Sequence, residues 1–296
     1  MLAIKPSKMN HHPKTENRFA KIPIARMPEL IAAKPAIAHE LSGSGPAVVF
    51  VHGLTYDRSM WQPVIAQLRG ALTCLAIDLP GHGESADAAS YSLESVARSL
   101  HELIVHLKLD APILVGHSAG AILVSIYAAT YPVSGIVTSD QKLHTTDFIT
   151  RLQGMRGQLE SPAFPAIWRA IESSFGIGLI PEKNRPLVTG HSRPRQEIVL
   201  GYWHEIFLTT PPEMEKRFRS LLSKINAPFA GVFGSDVEPG YRAWLNAVLP
   251  HHELIVFTNA GHFPHLVDPD AFAGVIHRVA ASAIRNDVVA GNALPS

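Results

Sequence analysis

The sequence predicts an α/β protein: a mostly parallel sheet flanked by helices, with a helical insertion. Two observations carry this. Short β-rich runs alternate with longer stretches of helical spacing, the pattern of a parallel sheet covered by helices. Between Gln141 and Asn226 that alternation stops, no clear strand is visible, and helical pieces are interrupted by Pro162, Pro165, Pro181, Pro186, Pro194 and the Pro211-Pro212 pair. An insertion placed there would cover the C-terminal edge of the sheet, where open α/β sheets bind ligands.

The elements follow in order. Ala47 to Val51 (AVVFV) is apolar throughout, as expected of a strand buried on both faces. Met60 to Leu68 follows as a helix, and Leu72 to Ile77 as a strand that ends at Asp78. Leu93 to Leu107 places Leu93, Val96, Ala97, Leu100, Ile104 and Leu107 on one stripe. Ile113 to Val115 is a short strand, and Ala119 to Thr130 an apolar helix stopped near Pro132. Gly135 to Thr138, Phe229 to Phe233 and Leu254 to Phe257 are further strands. Ala271 to Ile284 closes the series as a helix, with Pro269 near its start. The expected organisation is an N-terminal extension over 1–28, a core formed by 29–140 and 227–285, a helical cap over 141–226 and a tail over 286–296. Residues 1–27 carry six Lys or Arg and three Pro with no apolar stretch, so they do not read as a secretory signal, and the default compartment is the cytoplasm.

Composition excludes several function classes. Over 296 residues, 26 Lys and Arg face 25 Asp and Glu, which gives no electrostatic reason to expect nucleic acid or an anionic membrane as partner. The single cysteine, Cys74, rules out an intrachain disulfide and a Cys-rich zinc site. No apolar run approaches the roughly 18 residues of a membrane span. A small-molecule substrate and a monomer or homodimer are expected.

The motif that carries chemistry is Gly116-His117-Ser118-Ala119-Gly120. It fits G-x-S-x-G and stands between a strand and an apolar helix. Such a turn lifts Ser118 to the top of the sheet at a helix N-terminus, where the dipole favours developing negative charge. A serine hydroxyl needs a base to attack. His262, in Ala260-Gly261-His262-Phe263, lies just after the last strand, at the same sheet edge. His101 and His106 are five apart, about 140° around a helix, so they do not share a face. The base needs an orienting carboxylate. Asp236, at the end of the strand preceding His262, is the expected acid, with Glu238 and Asp140 as alternatives. An oxyanion hole needs two donors. The Ala119 amide supplies one, and the Leu54 amide in His52-Gly53-Leu54-Thr55 the other. His52, Gly53, Thr55, His117, Trp203 and Phe263 are expected around the substrate. Trp168, Tyr202, Trp203, His204 and Phe207 either pack the cap or line an apolar acyl or alcohol pocket.

Taken together, VVFVHGLT ending at Thr55, DLPGHGES (78–85), GHSAG (116–120), FGSD (233–236) and AGHFPHLVDP (260–269) resemble the α/β-hydrolase family over about residues 45–275. The resemblance implies that fold, a cap at 141–226, a structural DLPGHGES turn and a Ser/acid/His triad. Many relatives carry the acid three residues after the glycine, whereas Asp236 is two after Gly234. Ser118 argues against epoxide hydrolases and haloalkane dehalogenases, which place Asp there. Phe263 stands where hydroxynitrile lyases of this fold usually place Lys.

The expected activity is a serine hydrolase acting on a small or medium carboxylic ester or lactone, without metal or cofactor. Two rivals are a carbon–carbon bond hydrolase of a dienoate and a non-catalytic ligand-binding protein of the same fold. His82-Gly83-Glu84 matches a deaminase H-x-E, but the partner P-C-x-x-C is missing. No P-loop or complete dinucleotide loop is present.

Overall fold

The computed structural model describes residues 36–291, with side chains as far as 283. The predicted extension over 1–28 lies outside the described residues. A seven-stranded sheet forms the centre, from β1 (His39–Gly43), β2 (Ala47–Val51), β3 (Thr73–Ile77), β4 (Ile113–His117), β5 (Gly135–Ser139), β6 (Phe229–Phe233) and β7 (His252–Val256). The spatial order is β1-β3-β2-β4-β5-β6-β7. Only β1 runs antiparallel, paired with β3; every other pairing is parallel. Strands β2, β4, β5 and β6 are buried almost end to end, which explains the unbroken apolar runs of β2 and β6; β4 and β5 carry polar residues only at their C-terminal ends, next to the site. Strand β1, HELSG, is exposed along most of its length, as an edge strand with polar side chains can be.

Helices cover both faces. They are α1 (Gln62–Leu68), α2 (Leu93–His106) and α3 (Ala119–Ala128), then α4 (Thr146–Leu159), α5 (Phe164–Ser173), α6 (Pro186–Thr189), α7 (Gln196–Tyr202) and α8 (Pro211–Leu222), then α9 (Pro239–Val248), α10 (Pro264–Val267) and α11 (Pro269–Gly291). The buried stripe of α2 is Val96, Ala97, Leu100 and Ile104, the inner part of the apolar stripe read from the sequence. Helix α11 continues to Gly291, beyond the predicted end at Ile284 and into the segment expected as a tail.

Helices α4 to α8 lie between β5 and β6 in the chain, and α4 packs on α8. Several of the prolines that interrupt the sequence pattern stand in the first turns of helices, where the missing N–H costs nothing: Pro165 in α5, Pro186 in α6 and Pro211-Pro212 in α8. This insertion is fastened to the core at several points. The Arg193 N–H donates to the Thr55 carbonyl (2.8 Å), and His191 Nδ1 contacts Asp57 Oδ2 (2.7 Å). The Tyr202 hydroxyl donates to the Pro80 carbonyl (3.1 Å), and Asn184 Nδ2 donates to the Leu266 carbonyl (2.8 Å). No helix among the described residues is long and apolar enough to cross a membrane.

Candidate active site

Ser118 stands between β4 and α3 with φ 52° and ψ −122°, a left-sided conformation that a non-glycine residue holds only where its surroundings enforce it. Its N–H donates to the Ser139 carbonyl (3.0 Å), and its own carbonyl accepts from the Ala121 N–H (2.8 Å). The flanking glycines are required by space. A Cβ at Gly120 would lie 2.5 Å from the Val51 carbonyl oxygen, and one at Gly116 would lie 2.4 Å from the Gly120 carbonyl oxygen. Helix α3 can therefore press against the end of β2, and Ser118 is left at the crest of the turn.

His262 follows β7 and reaches the same edge. Its Nδ1 lies 2.7 Å from Asp140 Oδ2. A carboxylate only accepts, so Nδ1 carries a proton, and in the neutral ring Nε2 is the acceptor. Asp140 Oδ1 accepts the Gly234 N–H (3.0 Å). The pair is mostly shielded, with side-chain exposures of 16% for His262 and 19% for Asp140.

The carboxylate at His262 is thus Asp140, the alternative at the end of β5, and not Asp236. Strand β5 lies directly beside the Ser118-bearing β4, and Asp140 turns off its end at φ 47° with its N–H bonded to the Val232 carbonyl (2.8 Å). Asp236 sits one strand further away, exposed, beside a small recess formed with Ser235, Thr258 and Asn259. Glu238 is also exposed and pairs with Lys142 (2.7 Å).

Ser118, Ala119, Leu54, Asp140 and His262 border one cavity of about 1140 Å³. Its remaining wall is largely apolar and comes from the insertion, through Phe148, Trp168, Phe175, Trp203, Met214 and Phe218. That is roomy for a small-molecule site, where volumes of about 300–1,000 Å³ are usual. Leu54 and Ala119, whose amides are the two expected donors, both border the cavity, and Ala119 opens α3, where the first amides lack an intrahelical acceptor. Thr55, next to Leu54, has φ 72°, and its carbonyl is the group held by Arg193.

The six residues expected around the substrate divide sharply. Trp203 borders the cavity, whereas His52, Gly53, Thr55, His117 and Phe263 are buried beneath it. They support the loops instead. His52 donates through Nδ1 to the Gly53 carbonyl (2.7 Å) and accepts the Leu79 N–H at Nε2 (2.9 Å). His117 Nε2 donates to the His262 carbonyl (2.8 Å), and its ring lies 4.6 Å from the His262 ring. Burial lowers His52 to about 4 and pushes His117 well below the ordinary histidine range, so both are neutral supports. Of the insertion aromatics, Trp168 and Tyr202 border the cavity; His204 and Phe207 do not. Phe148, Phe175, Met214 and Phe218 went unnoticed in the sequence, because helical spacing alone does not say which face of an insertion helix meets the site.

The DLPGHGES segment forms a rigid turn. Buried Asp78 accepts the N–H groups of Arg58 (2.8 Å) and Glu84 (2.9 Å) and pairs with the Arg58 guanidinium. Among the described residues no group of three or more His, Cys, Asp or Glu could hold a metal ion.

A strand-to-helix serine, a histidine with its Nδ1 on a carboxylate, and a sheet ordered in this way define a class of protein. The Alpha/beta hydrolase family matches residues 48–275, and the chain belongs to that family. Its relatives include hydrolases of esterase type. The chain is 26% identical over 266 residues to a pimeloyl-[acyl-carrier protein] methyl ester esterase of Vibrio atlanticus, covering 78% of this chain and 93% of that protein. It is 24% identical over 251 residues to a putative carbamate hydrolase of Escherichia coli, covering 81% and 93%. Among solved structures, E-2-(acetamidomethylene)succinate hydrolase superposes with a TM-score of 0.66 at 21% identity, covering 83% of this chain and 95% of that one. An esterase from Thermogutta terrifontis gives 0.58 at 23%, covering 83% and 93%.

Proposed function

We propose that this protein is a serine hydrolase that cleaves a small or medium carboxylic ester or lactone through an acyl-enzyme. The observation that carries the reading is the placement of Ser118 and His262 on one cavity, with the His262 Nδ1 held by Asp140. Ser118 Oγ attacks the carbonyl carbon while His262 Nε2 takes its proton. The amides of Leu54 and Ala119 receive the oxyanion. Collapse expels the alcohol, which takes the proton back from His262, and leaves the acyl group on Ser118. Water then attacks the acyl carbon as His262 accepts its proton; collapse of that second intermediate breaks the acyl–Oγ bond, Ser118 Oγ regains the proton from His262, and the carboxylic acid departs. Asp140 keeps the tautomer fixed and stabilises the imidazolium. The helical insertion acts as a cap that supplies an apolar seat for the body of the substrate, and the esterase relative from Vibrio atlanticus points to the same bond type.

The test is a panel of p-nitrophenyl esters of increasing acyl length, with lactones beside them, assayed on the wild type and Ser118→Ala. The reading expects turnover by the wild type and loss of at least about 10⁴-fold in kcat for Ser118→Ala, with its melting temperature kept. Ester hydrolysis that survives the substitution contradicts it.

A further inference from the structure

We infer that Phe175, on the segment that follows α5, is a positioning residue through which the helical insertion sets the orientation of the His262 imidazole. The inference rests on the hydrolase reading, in which His262 is the base.

Three polar contacts fix the His262 residue, and each comes from a different part of the chain. Asp140 takes Nδ1–H at 2.7 Å, His117 donates to the carbonyl at 2.8 Å, and the His262 N–H donates to the Phe175 carbonyl at 2.9 Å. The last is the one supplied by the insertion. The Phe175 ring then lies against the imidazole itself, with centroids 4.4 Å apart and planes inclined by 31°. It also meets Phe263 edge-on at 6.1 Å. Backbone geometry lets the two segments meet this closely. Gly176 and Gly261 both have positive φ, 69° and 57°, and a Cβ at Gly261 would lie 2.9 Å from the Phe175 carbonyl oxygen.

An imidazole held by one hydrogen bond at Nδ1 can still rock about it; the rings of His117 (4.6 Å) and Phe263 (5.3 Å) lie nearby, and Phe175 is the nearest of the three at 4.4 Å. A ring packed on its face opposes that motion and keeps Nε2 directed at one place. Aromatic pairs at this separation contribute beyond simple burial, and small errors in the placement of reacting groups are costly in rate. Phe175 also borders the cavity. A substrate seated against the insertion therefore presses on the residue that braces the base, so the insertion governs kcat as well as binding.

The experiment compares full-length Phe175→Leu and Phe175→Tyr with the wild type, using p-nitrophenyl butyrate as the probe. Kinetics are read beside the downfield proton NMR signal of the His262 Nδ1–H. Positioning predicts that Leu lowers kcat about 10–100-fold, changes KM by less than about threefold, and broadens or removes the NMR signal. Tyr keeps the ring and restores kcat to within about threefold. If Leu retains kcat and the signal, or if Tyr is no better than Leu, the inference is overturned. Should Leu lower the melting temperature sharply, Phe175→Met replaces it, and equal kcat for Met and Tyr likewise overturns the inference. Ser118→Ala in the same assay separates the two claims. Its retention of activity would remove the hydrolase reading, whereas the NMR signal reports on Phe175 and His262 whether or not the protein turns over.

Discussion

Asp140 owes its place to a left-handed turn at the end of β5, closed by its N–H on the Val232 carbonyl, which turns the carboxylate toward His262. The Gly234 N–H fills its other oxygen, so the glycine of FGSD serves Asp140 and leaves Asp236 facing solvent. Replacing Asp140 by Asn exchanges an acceptor-only group for one that can present N–H to the histidine, which disturbs the tautomer. Asp140→Asn is expected to cost on the order of 10⁴ in kcat without unfolding, while Asp236→Asn stays within about threefold. Steady-state kinetics on the two variants decide between the carboxylates; a crippled Asp236→Asn beside an active Asp140→Asn would reverse the assignment.

Among the elements, the turn from β4 into α3 is tightly packed, with Gly120 against the end of β2. Gly120→Ala must push its methyl toward the Val51 and His52 carbonyl oxygens at 2.5 and 2.6 Å. Overpacking of this kind costs about 1–3 kcal/mol, to be read as a lower midpoint in urea; an unchanged midpoint would mean that α3 can move away freely. On the insertion, Trp203 borders the cavity and packs 5.9 Å from Trp168. Trp203→Ala is expected to alter kcat/KM unevenly across acyl lengths, and a uniform drop would mark it as packing alone. Elements with strong local signals were legible in the sequence: the apolar strands β2 and β6, the stripe of α2 and the elbow around Ser118. Strand β1 was not, because HELSG gains its strand conformation from pairing with β3 and contains no apolar run. Helix α9, whose buried side is Tyr241, Trp244, Leu245 and Val248, carries only a short apolar stripe behind Pro239 and gives no strong local signal. Order along the chain favours Asp236, which follows the strand before the one that leads to His262; the left-handed turn that carries the Asp140 carboxylate across to His262 leaves no mark in the sequence. Closeness to a motif along the chain does not tell the cavity-facing side of a loop from its buried side; His52, Gly53, Thr55, His117 and Phe263 lie beneath the cavity.

At the scale of the whole molecule, the floor beneath the site is a set of buried histidines. Burial lowers His52 to about 4 and both His82 and His265 to about 3, and His117 falls well below its ordinary range. A folded-state value below the unfolded one of 6.5 means that the unfolded chain binds more protons as the pH falls. Their contribution is intact above about pH 6.5 and is lost progressively as the pH falls toward the folded-state values, about 4 for His52 and about 3 for His82 and His265. Urea midpoints at pH 7.5 and 5.0 should therefore differ markedly, with the protein weaker in acid; equal midpoints would mean that these rings gain protons without cost. Above that floor, the proposed chemistry runs through a covalent bond to one serine. The most direct measurement is reaction with a fluorophosphonate followed by intact-mass and peptide mass spectrometry, with and without a competing ester. A single adduct on the peptide bearing Ser118, slowed by the ester and missing in Ser118→Ala, is the predicted result. Ester turnover by a protein that takes up no label at Ser118 would contradict the account.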